Sequence, residues 1–323
     1  MSSAFSAGPL NINLMTDDST QYDVVARFFA SYDVPWKDRC ASITIRVSNS
    51  LDRAKKIEGT FLNLARMDVD SRGPGLYAAC TSGCSAIYSS EENRWDIFVA
   101  PSEGQATWEV PSDMDDLLML VLTTGWRAAG WVPIHAGAIT RDRTCALVCA
   151  TSGGGKTTFV SAMVRQGWAA LGDDKLLLRS TGDELTVRAL SHTFNLDPRI
   201  KRWFPEAQGL ESYPAVSPFS EKRRVPVCNL WPGKEADEAR PTHLIRLGRS
   251  PEEKAIRIAP LSESSLLSTL LSQIVIPRRK LDAKLILTTA ATTSKHIKGL
   301  RLEIGGLVYR EPNGLHPLME KLR

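Results

Sequence analysis

Three short stretches carry residues that could do chemistry together. From Ala150 to Thr157 the chain reads ATSGGGKT, which fits the pattern [AG]-x-x-x-x-G-K-[ST]. Glycines let a backbone curl there with its N–H groups turned inward, where side chains would block a phosphate. Lys156 would then set its ammonium on the β- and γ-phosphates of ATP, and Thr157 its hydroxyl on Mg²⁺. The helix opening at the lysine would add its positive end. Ser152, Gly153, Gly154, Gly155, Lys156, Thr157 and Thr158 are thus the candidate nucleotide contacts. Downstream stand Asp173 and Asp174. One carboxylate of such a pair can hold Mg²⁺, directly or through water, and the other can take the proton of an attacking hydroxyl. Upstream, His135 lies on a strand joined by the tight TRDRT turn to the strand that ends at the loop.

The elements that must position these groups follow an α/β alternation. VPIHAGAIT and CALVCA read as apolar strands on either side of the turn; the glycine loop and a helix to Gln166 come next, then WAALGDDKLLLR. In that order the Asp pair ends the neighbouring strand at the phosphate edge. LTVRAL is a returning strand. Residues 191 to 235 hold several prolines and few periodic stretches, which predicts a long, partly irregular segment of the kind that often carries function. It contains Lys222, Arg223 and Arg224, and Arg224 is the candidate cation for the transferring phosphoryl group. Arg278, Arg279 and Lys280 form a second basic run. Further on, THLIRLG and KAIRIAPL read as a hairpin, SESSLLSTLLSQI and AKLILTTAATT as helices, GLRLEIGG as a strand and GLHPLMEKL as a terminal helix.

The first third has a different texture. Residues 1 to about 20 are polar, with no period that would order them. YDVVARFFASY predicts a short helix, and ASITIRVS, GLYAACTS, SAIYSS, RWDIFVAP and ATWEVP predict strands separated by Gly and Ser turns, as in an antiparallel sheet. DMDDLLMLVLTTGWRAA, from Asp113 to Ala129, has an acidic start and an apolar helical face that Gly130 would stop. The expected organisation is therefore α/β, with a mainly β N-terminal region over 1–112 and a P-loop domain over 113–323.

A net charge of only +4, with no long basic stretch, argues against nucleic acid as the main partner. No apolar run approaches the roughly 18 residues needed to cross a bilayer, and the N-terminus lacks the basic start and apolar core of a secretory signal, so a cytoplasmic protein is expected. Six cysteines are sparse for a disulfide scaffold, Cys80 and Cys84 have no second pair to complete a metal tetrahedron, and Cys145 and Cys149 are placed to pack within a sheet.

The order IHAGAI, ATSGGGKTT, GWAALGDD resembles the catalytic domain of HPr kinase/phosphorylase, a bacterial P-loop serine kinase. The likeness spans roughly residues 130 to 180, and more loosely the elements to the C-terminus. It implies an HPr-kinase-like fold in which Lys156 and its loop bind the triphosphate and Thr157 the Mg²⁺. It further implies Asp173 as the base for a serine hydroxyl, Asp174 beside the metal, His135 assisting, and a homo-oligomer. Thr158 stands where bifunctional members carry an acidic residue, and no Gly-Arg-Asn signature follows; both departures turn the implication from the phosphorylase reaction, and from HPr, toward another acceptor. Tailoring kinases of ribosomally made peptides, lasso peptides included, resemble such chains, which suggests a serine of a precursor peptide or small protein. A nucleotide-binding regulatory protein without transfer, and a kinase of a small metabolite, fit the same motif.

Overall fold

The computed structural model describes residues 2–16, 19–32, 34–36, 41–48, 62–64, 67–70, 76–80, 84–89, 91–99, 112–216, 220–274, 280–311 and 313–322. Contacts between Cα atoms group Met1–Gly130 with Pro277–Ala283 in one unit, and Trp131–Ile276 with Lys284–Arg323 in another.

In the first unit, strands β1 (Ser2–Ala7) and β2 (Leu10–Thr16) form an antiparallel hairpin that turns at Gly8, where φ is 59°. This corrects the expectation of a loose N-terminus. Leu10, Ile12 and Leu14 alternate into the core and are fully buried, and that period of two was present in LNINLM. Helix α1 (Ser19–Ala30) carries the chain over, which lets β3 (Ala41–Ser48) lie parallel to β2. Strands β4 (Leu62–Leu64), β5 (Met67–Asp70), β6 (Leu76–Cys80), β7 (Ser85–Ser89) and β8 (Arg94–Phe98) complete a sheet ordered β1-β2-β3-β8-β7-β6-β5-β4. Because β3 also runs parallel to β8, the sheet is mixed, not antiparallel as the turn-rich sequence suggested. Helix α2 (Ser112–Ala128) buries Leu117, Leu118, Val121 and Leu122, and its Trp126 indole donates to the Ala7 carbonyl at 3.0 Å. That packing groups α2 with the first unit, whereas the sequence reading drew its boundary just before this helix. ATWEVP, Cys40 and the Cys80 side chain lie outside the described residues.

The second unit contains β9 (Val132–Ile134), β10 (Gly137–Arg141), β11 (Thr144–Cys149), α3 (Lys156–Arg165), β12 (Ala169–Gly172), β13 (Leu176–Thr181), β14 (Glu184–Ala189), β15 (Thr193–Leu196) and β16 (Arg223–Pro226). After these come α4 (Val227–Leu230), β17 (Glu238–Ala239), β18 (His243–Arg249), β19 (Ile256–Pro260), α5 (Glu263–Ser272), α6 (Lys280–His296, of which the part from Lys284 on belongs to this unit), β20 (Lys298–Ile304) and α7 (His316–Lys321). Among the described residues one sheet is ordered β12-β10-β11-β18-β20-β19, a second β17-β14-β13-β9, and β15 pairs with β16 alone. Cys145 and Cys149 are buried on β11, and burial pushes both thiols up to about 12.

Three sequence expectations change here. VPIHAGAIT is not one strand: β9 joins one sheet and β10 the other, with His135 and Ala136 as the joint. WAALGDDKLLLR divides likewise into β12 and β13 around residues 173–175. Ile134 pairs with Leu176 on one side of these joints and Ala138 with Gly172 on the other, so the two crossings run side by side. Second, β10 stands between β11 and β12, so the Asp pair ends a strand two places from the loop strand. Third, β18 and β19 form no hairpin with each other, because β20 returns after α6 and inserts between them, parallel to β18 and antiparallel to β19. The proline-rich segment is irregular but anchored: 3-10 turns at Pro198–Arg202, Pro205–Ala207 and Leu210–Ser212 bury Ile200, Phe204, Ala207 and Leu210.

Candidate active site

The glycine loop leaves the C-terminal end of β11 and is shaped by backbone that only glycine adopts cheaply. Gly153 and Gly155 have φ of 70° and 92°, and a Cβ on Gly154 would lie 2.9 Å from the Thr151 carbonyl oxygen. Gly155 caps α3 with no side-chain hydrogen bond, and no acidic residue stands in the first turn, so the first-turn N–H groups face an uncompensated positive helix end.

Lys156 is 8% exposed, and its ammonium is tied to the side of the site where the two joints cross. It lies 3.2 Å from Asp174 Oδ1 and donates to the His135 carbonyl at 3.3 Å. His135 Nε2 meets the same Asp174 oxygen at 2.6 Å. Thr157 Oγ1, one residue on, donates to Asp173 Oδ2 at 2.7 Å. The structure thus brings His135, Lys156, Thr157, Asp173 and Asp174 into one cluster and divides the two carboxylates between different partners.

Their environments push them apart. Asp173 is 3% exposed, and burial, reinforced by the charge of Asp174, raises it to about 6 despite hydrogen bonds from Thr157 and the Asn195 backbone. Burial also works to raise Asp174, but hydrogen bonding by His135 and the charge of Lys156 outweigh it, and this half-exposed carboxyl is held well below the usual range. A buried carboxylate facing a threonine hydroxyl is a hard oxygen donor set. Mg²⁺ usually takes only one or two protein carboxylates and fills its shell with phosphate oxygens and water, so Asp173 with Thr157 fits that ion. Among the described residues no three His, Cys, Asp or Glu side chains gather into a ready-made cage.

Arg224 stays outside this cluster. Its guanidinium donates to the Val216 carbonyl at 3.3 Å, though β16 pairs it opposite Asn195, whose N–H reaches Asp173. Ser152 is exposed at the loop tip, and Thr158 lines a cavity that has neither Asp173 nor Asp174 in its wall. Residues 217–219 and 277–279, and the Lys280 side chain, lie outside the described residues. Sequence reading missed Arg249, at the end of β18, which donates to the Gly153 carbonyl at 2.7 Å. The available signal was topological: β18 runs parallel to β11, so its C-terminal end reaches the same edge.

It also missed Gly137. A Cβ there would sit 2.8 Å from Val160 Cγ2, 3.3 Å from the Gly172 carbonyl and 3.4 Å from Asp173 Cα. Val160 is β-branched and buried, so it has little room to give. Gly137→Ala should therefore destabilise the protein by about 1–3 kcal/mol and displace Asp173. A denaturation midpoint unchanged from wild type would show that the contact relaxes freely.

No protein-family model matches the chain, and no curated protein matches it. Among solved structures, the Hpr(Ser) kinase/phosphatase from Coxiella burnetii is similar to it at 11% identity and a TM-score of 0.31. The match covers 58% of this chain and 98% of that one. That likeness is loose, and what the site can do is read from its own geometry. No helix among the described residues is long and apolar enough to cross a membrane.

Proposed function

We propose that this chain is an ATP- and Mg²⁺-dependent phosphotransferase that moves the γ-phosphoryl group to a serine hydroxyl of a peptide or small protein. The observation that carries this reading is the splitting of the Asp pair: Asp173 on Thr157, and Asp174 on both His135 and Lys156. That division leaves one carboxylate beside Thr157 for a metal and one beside the lysine for an acceptor hydroxyl.

The resemblance implied Asp173 as the base and Asp174 beside the metal; the contacts favour the reverse. Asp173, buried against Thr157, would hold Mg²⁺, which neutralises charge on the phosphoryl oxygens when bound. Asp174, open to the surface beside His135, would meet the acceptor. Without nucleotide, Lys156 spends its charge on Asp174. When phosphates enter, Lys156 turns to them and Asp174 loses its strongest cation, so its basicity rises as the reactants assemble. The acceptor oxygen then forms its bond to the γ-phosphorus and the bond to the β-phosphate oxygen breaks. The electron pair leaves with ADP, and the hydroxyl proton passes to Asp174, which His135 holds in place.

The test is transfer of labelled γ-phosphate from ATP, with Mg²⁺, to a panel of serine-containing peptides and small proteins, read by phosphoamino-acid analysis. Phosphoserine that requires both ATP and Mg²⁺ is the expected product. ATP bound with no transfer to any acceptor, peptide or metabolite would leave a nucleotide-binding regulator.

A further inference from the structure

Against the glycine loop lies a cavity of about 210 Å³. The loop supplies Gly154, Gly155 and Thr158 to its wall, and Arg202, Trp203, Arg249, Glu253, Tyr309 and Arg310 are among the other lining residues. None of the acid cluster lines it. We infer that this cavity takes the base and ribose of the nucleotide whose phosphates the loop holds, with the Arg202–Trp203 stack as the platform for a purine ring. This rests on the phosphate-binding reading of the loop.

Direction comes first. In a loop of this kind the lysine serves the β- and γ-phosphates, and the backbone and first helical turn serve those nearer the sugar. Lys156 points to Asp174 and His135, whereas Thr158 and the glycines border the cavity, so a triphosphate lying along the loop has its sugar end at the cavity. The site also sits where parallel strands β11, β18 and β20 end together: Arg249 closes β18 and Ile304 closes β20, and the crevice outside such ends is where α/β sheets take ligands.

The lining suits a flat heterocycle carrying negative charge at one end. The Arg202 guanidinium lies 3.8 Å over the Trp203 ring, and Tyr309 meets Trp203 edge-on at 5.8 Å. Bases stack on both aromatic rings and guanidinium planes. This platform is held in advance, because Arg310 Nε donates to the Arg202 carbonyl at 3.1 Å and Arg165 to the Trp203 carbonyl at 3.3 Å. Among the described residues no carboxylate forms an ion pair with Arg202, Arg249 or Arg310, which leaves a positive surplus where the α-phosphate and ribose would enter. Glu253 supplies an acceptor for a base amino group, and its carboxylate reaches over Gly306, where a Cβ would lie 2.9 Å from Oε2. The volume falls below the ≈300–1,000 Å³ typical of pockets for drug-sized ligands, which suits a nucleoside better than a folded peptide segment.

The experiment compares magnesium ATP with magnesium tripolyphosphate, which has the phosphates and no base, by calorimetric titration of the full chain. Wild type should bind ATP more tightly. Trp203→Ala should weaken ATP about tenfold and leave tripolyphosphate unchanged, with Trp203→Phe retaining most of the affinity, and the exposed Arg202→Ala should weaken ATP by more than it weakens tripolyphosphate. Lys156→Ala should weaken both ligands. If Lys156→Ala weakens both while Arg202→Ala and Trp203→Ala leave ATP unaffected, the base lies elsewhere and the phosphate loop stands. If Lys156→Ala changes neither, the phosphate reading falls and takes this pocket with it. Loss of tripolyphosphate binding in Trp203→Ala alone marks a packing defect, and Arg202→Ala then decides.

Discussion

Asp174→Asn should lower the rate of phosphoryl transfer by about 10²–10⁴, the span that a positioned general base contributes, while nucleotide affinity stays level or rises. The direction of the second effect follows from Lys156. Its ammonium stands 3.2 Å from Asp174 Oδ1, and an amide in that place competes less for it, so the lysine is freer to meet phosphate. Asparagine keeps the size of the side chain and an oxygen for His135, so the loss falls on proton acceptance and not on folding. Single-turnover transfer and calorimetric binding of ATP, measured on one preparation, separate the two. Transfer within a few-fold of wild type would remove Asp174 from the chemistry. Loss of ATP binding in step with transfer would make it a binding residue instead.

Asp173→Asn is expected to cost activity and to stabilise the metal-free fold. Burial pushes the native carboxyl up to about 6, whereas the unfolded one keeps the ordinary value of 3.8. Between those values the folded state holds the proton that the unfolded state has lost, so the stability present below about pH 4 drains away as pH rises through 6. The whole effect is about 3 kcal/mol, removed from the folded protein at pH 7 and above. An amide carries no such charge, although part of the gain is forfeited because the Asn195 backbone N–H offers only a donor and the Thr157 hydroxyl must turn to accept from the new NH₂. Denaturation midpoints without Mg²⁺ should therefore favour the variant at pH 8, and that advantage should shrink toward pH 4. Addition of Mg²⁺ with nucleotide should raise the wild-type midpoint more than that of the variant. A variant equally destabilised at pH 4 and pH 8 would mean that the Asp173 charge is no burden to the fold.

Much of the cluster was legible because its parts are local. The glycine loop, the helix at Lys156 and the β10–β11 hairpin all sit within one short segment, where period and turn chemistry speak directly. What the sequence hid depends on distant chain. No local signal says that β20 will separate β18 from β19, since its residues arrive only after α5 and α6. The split of VPIHAGAIT between two sheets is hidden too: an apolar run looks alike whether one sheet or two receive it. For that reason the sequence could place Asp173 and Asp174 near the loop but could not divide their partners. The cavity wall draws on three separate stretches, around Arg202, Arg249 and Tyr309, and none carries a recognisable pattern on its own. The N-terminal hairpin is the opposite case, since alternation at Leu10, Ile12 and Leu14 was there to be read and polar neighbours obscured it.

The paired crossings at residues 135–136 and 173–175 also limit how this chain can vary in length. Each is bounded by strand pairs on both sides, Ile134 with Leu176 and Ala138 with Gly172, and the β10–β12 register already shifts between Ala138 and Ile139. One residue added to either crossing and not absorbed as a further bulge would turn every following side chain of its strand to the other face, exchanging buried apolar residues for polar ones. The same addition would part His135 from Asp174. Surface loops elsewhere in the chain can lengthen or shorten without such a penalty. At these two crossings the spacing of the reactive groups and the register of two sheets form a single constraint, and residue identity and residue count are fixed there together.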